Sequence, residues 1–203
     1  MPVFCTHFQH LETRINVLVQ TFLADQILSE RLDPTGFTPN HERLAAFRLL
    51  AHAEFEEFIE SKAREGLARL SALATSTGFR LKDMHQLLAI AHYLQFDIGL
   101  TDPFDQRRYI SRSKNLITTA QQKISENNGI KRKSFLMLCI LFGVMPDDVD
   151  QTLLSTLDSY GSNRGDVAHR SISRVRTIQA PTDEESRVNT IVQLLKSLYD
   201  VHS

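Results

Sequence analysis

A chain of 203 residues, 42% hydrophobic and 23% charged, is long enough to bury a sizeable core. Its formal net charge of −1 gives no global attraction to a polyanion, so any nucleic-acid surface has to be a local patch. Cys5 and Cys139 stand apart among apolar residues with no Cys-x-x-Cys pair, which reads as reduced core thiols and a cytoplasmic location.

The opening Met1–His7 lacks the basic-then-apolar order of a signal peptide. The longest apolar run, Phe135–Met145, is shorter than the ~20 residues of a spanning helix, so it is expected to be a core helix and no membrane partner is expected. Strand-like alternation is absent and helical periodicity dominates, which predicts an all-α fold: one helical bundle of long antiparallel helices over residues 1–203.

In chain order, the first helix is expected from Thr6 to Leu32, with Leu11, Ile15, Leu18, Phe22 and Ile27 inward, broken by Asp33-Pro34-Thr35-Gly36. Asn40 is the expected N-cap of a long second helix to Ala74. Its stripe of Phe47, Leu50, Ala51, Phe55, Phe58 and Ile59 includes one carboxylate, Glu54, which should seek a cation because burial of an unpaired charge is costly. Glu56, Glu57 and Glu60 read as solvated, and His52 with Glu56 as a surface pair.

Gly78 and Asp83 flank the entry to a third helix carrying Leu87, Leu88, Ala91 and Leu94. A fourth is expected from Phe104 to Glu126, closed by a left-handed cap at Asn127-Asn128-Gly129, and a fifth from Lys131 to Phe142. Asp147 or Asp148 is expected to cap a short helix through Leu157. The run Asp158–Asn163 looks like a turn, so a further helix is expected to begin near Asn163. Thr182 and Glu185 make a capping-box pattern opening the last helix, to Val201.

The chemistry-bearing stretch is Arg164-Gly165-Asp166-Val167-Ala168-His169. An arginine can hold a phosphate, and a histidine can move a proton near neutral pH. On a helix, residues five apart are offset by about 140° and rise about 7.5 Å, so Arg164 and His169 flank a groove rather than share a face. A second copy of the helix crossing nearby would pool two such pairs, which points to a symmetric dimer. In such a site His169 serves as acid or base, Arg164 stabilises phosphoryl charge, and Asp166 tunes the imidazole. The same spacing recurs at Arg80–His85, where bulky Leu81 and Met84 replace the small residues. By spacing alone, Arg164 reads equally as a surface arginine paired with Asp158 or Asp166, and His169 as a packed histidine.

The stretch resembles the Arg-x(4–6)-His signature of the HEPN superfamily. Leu49–Glu60, and Asn127–Lys131 followed by an apolar helix and Tyr160-Gly161, resemble its RiboL-PSP-HEPN branch. The resemblance implies an all-α homodimer that cleaves RNA without a metal, with Arg164 and His169 catalytic and a toxin–antitoxin or anti-phage defence context in which an antitoxin or defence partner is expected. Glu54 is then a candidate anchor for Arg164. The alternative is a non-catalytic RNA- or protein-binding module of the same fold. Many members place Asn, Asp or His directly after the arginine, where this chain has Gly165.

Basic stretches occur at Arg107, Arg108, Arg112 and Lys114, at Lys131–Lys133, and at Arg170, Arg174 and Arg176. Arg170 and Arg174, four apart just beyond the motif, are candidate grips for RNA phosphates. The histidines make no metal-ligand pattern and there is no glycine-rich phosphate loop, so no metal and no cofactor are expected.

Overall fold

Thirty-four residues with no proline and a single glycine form the longest helix, α3 (His41–Ala74), on which the bundle is assembled. The computed structural model describes residues 6–74, 81–99, 103, 105–169 and 177–201. Within them lie α1 (Thr6–Phe22), α2 (Ala24–Leu32), α3, α4 (Leu81–Tyr93), α5 (Gln106–Ser125), α6 (Arg132–Phe142), α7 (Gln151–His169) and α8 (Pro181–Val201), with a 3-10 turn at Pro146–Asp148. No strand occurs among the described residues, as the periodicity predicts. Nor is any helix among them long and apolar enough to cross a membrane.

Leu44, Phe47, Ala51, Phe55, Phe58, Ile59, Ala63, Leu67 and Leu70 recur at three- and four-residue steps along α3, and all are buried. Asn40 caps this helix as expected, its Oδ1 accepting from the Arg43 amide at 3.0 Å. The other helices pack around α3, with α1, α5, α6, α7 and α8 all touching it. An aromatic chain runs through the centre. Phe8 meets Phe58 edge-on at 5.9 Å, and Tyr199 meets Phe58 at 5.3 Å and Phe142 at 5.0 Å.

The first helix is bent rather than continuous. Leu23 departs from helical geometry while its neighbours' hydrogen bonds persist, Leu23 N to Val19 O at 2.9 Å and Ile27 N to Leu23 O at 2.8 Å. The bend buries Leu23 and carries α2 to α8, where Glu30 accepts from both the amide and the hydroxyl of Thr182. That contact replaces the expected Thr182–Glu185 capping box.

Two other caps also differ from expectation. Asp150, not Asp147 or Asp148, accepts from the first amides of α7, Thr152 N at 2.6 Å and Leu153 N at 3.0 Å. The helix α5 ends without a left-handed residue at its cap, and Gly129 instead takes φ +100° three residues further on. The left-handed cap belongs to α6: Gly143 has φ +111°, and the Val144 amide donates back to Cys139 O at 2.9 Å.

The crossing of α3 and α6 depends on Gly66. A Cβ there would lie 2.4 Å from Phe142 Cα and 2.5 Å from Leu141 O, both backbone atoms. Arg69 and Gln86 donate to the α6 carbonyls at the same junction, Arg69 Nη2 to Phe142 O at 2.7 Å and Gln86 Nε2 to Leu141 O at 2.8 Å. Gly66→Ala is expected to destabilise by about 1–3 kcal/mol or more, because neither backbone can yield without separating the helices. A urea midpoint indistinguishable from wild type would contradict this close crossing.

The most deeply placed charges are Arg48 of α3 and Glu184 of α8, both fully buried and joined as a two-point ion pair. Arg48 also donates to Thr177 O at 2.7 Å and Thr177 Oγ1 at 3.1 Å, while Glu184 accepts from the Gln179 amide at 3.0 Å. The strand of chain entering α8 is thereby fastened to α3.

Candidate functional site

The expected turn at 158–163 is helix, because α7 runs unbroken from Gln151 to His169. Gly161 explains the misreading. It is buried, and an added Cβ would sit 3.1 Å from Ile130 O and 3.6 Å from His52 Nε2. A glycine that admits a neighbouring backbone looks, in sequence, like one that turns the chain.

Leu153, Leu157, Tyr160, Gly161 and Arg164 follow one another at helical steps on α7. The first three are fully buried, and Arg164 extends the same stripe to partial exposure. This brings the Arg164 charge within electrostatic reach of His52 of α3, whose ring is 1% exposed and stacks on Tyr160 at 6.3 Å and 11°. Burial, and secondarily the positive charge of Arg164, hold the His52 pKa down to about 4, so the imidazole is neutral at physiological pH. Its Nδ1 lies 3.8 Å from Glu56 Oε2, too far for a hydrogen bond, and is left without a partner. Arg164 Nε is likewise buried and unpartnered, and Arg164 makes no ion pair among the described residues.

His52, Glu56 and Glu60 are spaced by four along α3 and form one polar stripe. None is the solvated residue expected from sequence. Glu56 accepts from the Gly129 amide and from Asn127 Nδ2 at 3.2 Å. Glu60 accepts from the same Asn127 amide at 2.9 Å and from Arg64 at 2.7 Å, and burial raises its pKa. Gly129 takes φ +100° at this contact, which redirects the chain that follows toward α7. Ile130 then lays its carbonyl against Gly161, and Asp158 of α7 receives the Arg132 amide at 2.8 Å, capping α6. Tyr160 closes the other side. Its hydroxyl donates to Arg48 O at 3.3 Å, and Arg187 of α8 lies over its ring at 5.2 Å. The result is a rigid floor of α3, α7 and the 127–130 loop beneath a guanidinium with free donors.

Glu54 does not anchor Arg164. It accepts from Arg14 Nε of α1 at 2.8 Å and lines a small cleft of about 190 Å³ with His7, His10 and Leu11. The α3 face carrying Glu54 meets α1, whereas the opposite face, carrying His52, meets α7. No group of three or more metal-ligating side chains is found among the described residues. The backbone of Asp166 and His169 completes α7, but their side chains, and all of Arg170 and Arg174, lie outside the described residues.

His52 and the Glu56–Asn127–Gly129 clamp were missed in sequence. The usable signal was the polar His-x3-Glu-x3-Glu stripe set inside an apolar helix, opposite a loop rich in asparagine and glycine.

Among known families, the model of RiboL-PSP-HEPN domains matches residues 18–201. No curated protein and no solved structure shows a significant match.

Proposed function

Because the chain belongs to the RiboL-PSP-HEPN family, whose superfamily comprises RNase-like and RNA-binding domains that commonly dimerise, we propose that it is a metal-independent endoribonuclease with a composite site at a homodimer interface. The observation that carries this reading is Arg164. A guanidinium seated on a rigid floor, beside a neutral imidazole and free of any acidic partner among the described residues, is available to a phosphate.

In the proposed reaction the ribose 2′-oxygen attacks the adjacent phosphorus and the bond to the 5′-oxygen breaks. A 2′,3′-cyclic phosphate and a 5′-hydroxyl end result. His169 takes the 2′ proton or gives one to the leaving oxygen, and Arg164 stabilises charge on the non-bridging oxygens. Asp166 tunes His169, and Arg170 and Arg174 grip flanking phosphates. The setting we infer is toxin–antitoxin or anti-phage defence, with an antitoxin or defence-system partner.

Incubation with total RNA in EDTA is expected to give fragments with 2′,3′-cyclic ends. Arg164→Ala and His169→Ala should each lower the rate by about a hundredfold or more while leaving the helical signal intact. Cleavage that survives both changes would refute the assignment. Light scattering should give the mass of a dimer, and toxicity on expression should be relieved by His169→Ala. One observation favours a non-catalytic RNA-binding module instead: Gly165 puts no polar side chain beside Arg164, and among the described residues nothing lies within 4 Å of a Cβ added there. That reading predicts salt-sensitive RNA retention without new ends.

A further inference from the structure

Away from Arg164, the ends of α4 and α5 and the start of α6 enclose an open groove of about 640 Å³. Tyr93, Leu94 and Met137 give it apolar walls, and Lys123, Lys131 and Lys133 give it three ammonium groups with no acidic side chain in the lining. Lys123 is held by Glu126 at 2.7 Å, but Lys131 and Lys133 are exposed and make no ion pair among the described residues. The Tyr93 hydroxyl donates to Lys133 O at 3.0 Å, which fixes the ring and joins the two sides.

Gln95, on the rim, closes α4 with φ +51°, the only non-glycine residue with positive φ among those described. The Phe96 amide donates back to Ala91 O at 2.8 Å, so Gln95 is the left-handed residue of the α4 C-cap and holds this end of the groove in place. The 128–131 loop joins the groove to the site. Asn128 and Lys131 line the groove, while Gly129 and Ile130 between them touch Glu56 and Gly161.

We propose that this groove binds single-stranded RNA flanking the scissile linkage. One unpaired base lies against Tyr93 and Met137, and its phosphates are held by Lys131 and Lys133. The volume suits a nucleotide, the charge suits a phosphodiester, and an aromatic wall beside ammonium groups is the arrangement that reads an unpaired strand without reading its sequence. The assignment rests on the ribonuclease reading for its substrate, but it is tested by binding rather than cleavage.

The probe is a fluorescein-labelled 2′-O-methyl oligouridylate of about twelve nucleotides, which lacks the attacking hydroxyl, titrated with the full chain in EDTA. Lys131→Gln/Lys133→Gln should reduce the slope of log affinity against log salt by about 1.4, two phosphates' worth. Tyr93→Leu should weaken binding about tenfold, and Tyr93→Phe much less. The control Arg107→Gln/Lys114→Gln removes equal charge from another face and should leave the slope unchanged, with thermal melts confirming that every variant folds.

Equal loss in groove and control variants overturns the assignment, as does oligoglutamate binding as tightly as the oligouridylate. Absence of wild-type binding to the probe overturns it too. Wild-type binding with the expected slope change but no cleavage of natural RNA leaves the groove assigned and removes the nuclease reading.

Discussion

Glu184→Ala is expected to destabilise the chain by about 3–5 kcal/mol, because it strands the Arg48 guanidinium in a fully buried position. The loss is not only electrostatic. Glu184 also receives the Gln179 amide, and Arg48 holds Thr177 through both its carbonyl and its hydroxyl. Removing either partner loosens residues 177–179 from α3 and α8. Replacing both, as Arg48→Met/Glu184→Leu, should cost much less than the two single changes together, since no buried charge is then left unpaired. Urea unfolding of the wild type, Arg48→Met, Glu184→Leu and the double variant measures the coupling. A Glu184→Ala midpoint within experimental error of wild type would mean that the pair is not buried in solution.

The second large effect is on the response to acid. In the unfolded chain His52 titrates near 6.5, whereas in the native fold burial and the neighbouring Arg164 hold it near 4. Between those values the unfolded chain binds a proton that the native chain refuses. The contribution is therefore complete above pH 6.5 and is lost as pH falls toward 4, by roughly 3 kcal/mol in all. Glu56, Arg164 and Tyr160 face the ring, and of these only Glu56 would welcome the imidazolium. His52→Asn should flatten the decline between pH 6.5 and 4 while leaving the carboxylate-driven part unchanged. Identical pH profiles for the two proteins would show that the ring is solvated or already charged.

Local patterns made the bundle legible: apolar steps of three and four along α3, the Asn40 cap, the apolar run that became α6. They failed where a residue's role depends on something distant in sequence. Gly161 looked like a turn because its reason is the Ile130 carbonyl, thirty-one positions away. Glu56 looked solvated because its partners, Asn127 and Gly129, reach it only after α5 has returned along α3. Glu54 was rightly expected to need a cation, but helical phase, which sequence gives only approximately, decided for Arg14 over Arg164. Arg164 itself was legible as a motif. Its neighbour His52 was not, because an imidazole among glutamates reads as surface until the opposing helix is in place.

One consequence follows from the aromatic chain that begins at Phe8. The family match starts at residue 18, yet Phe8, Leu11 and Ile15 are buried, and Arg14 neutralises Glu54. A fragment trimmed to the matched boundary would bare the edge of Phe58 and leave a carboxylate uncompensated beside it. It would be expected to precipitate although every matched residue is present, because residues 6–17, a little over three turns of α1, shield this side of the core from water.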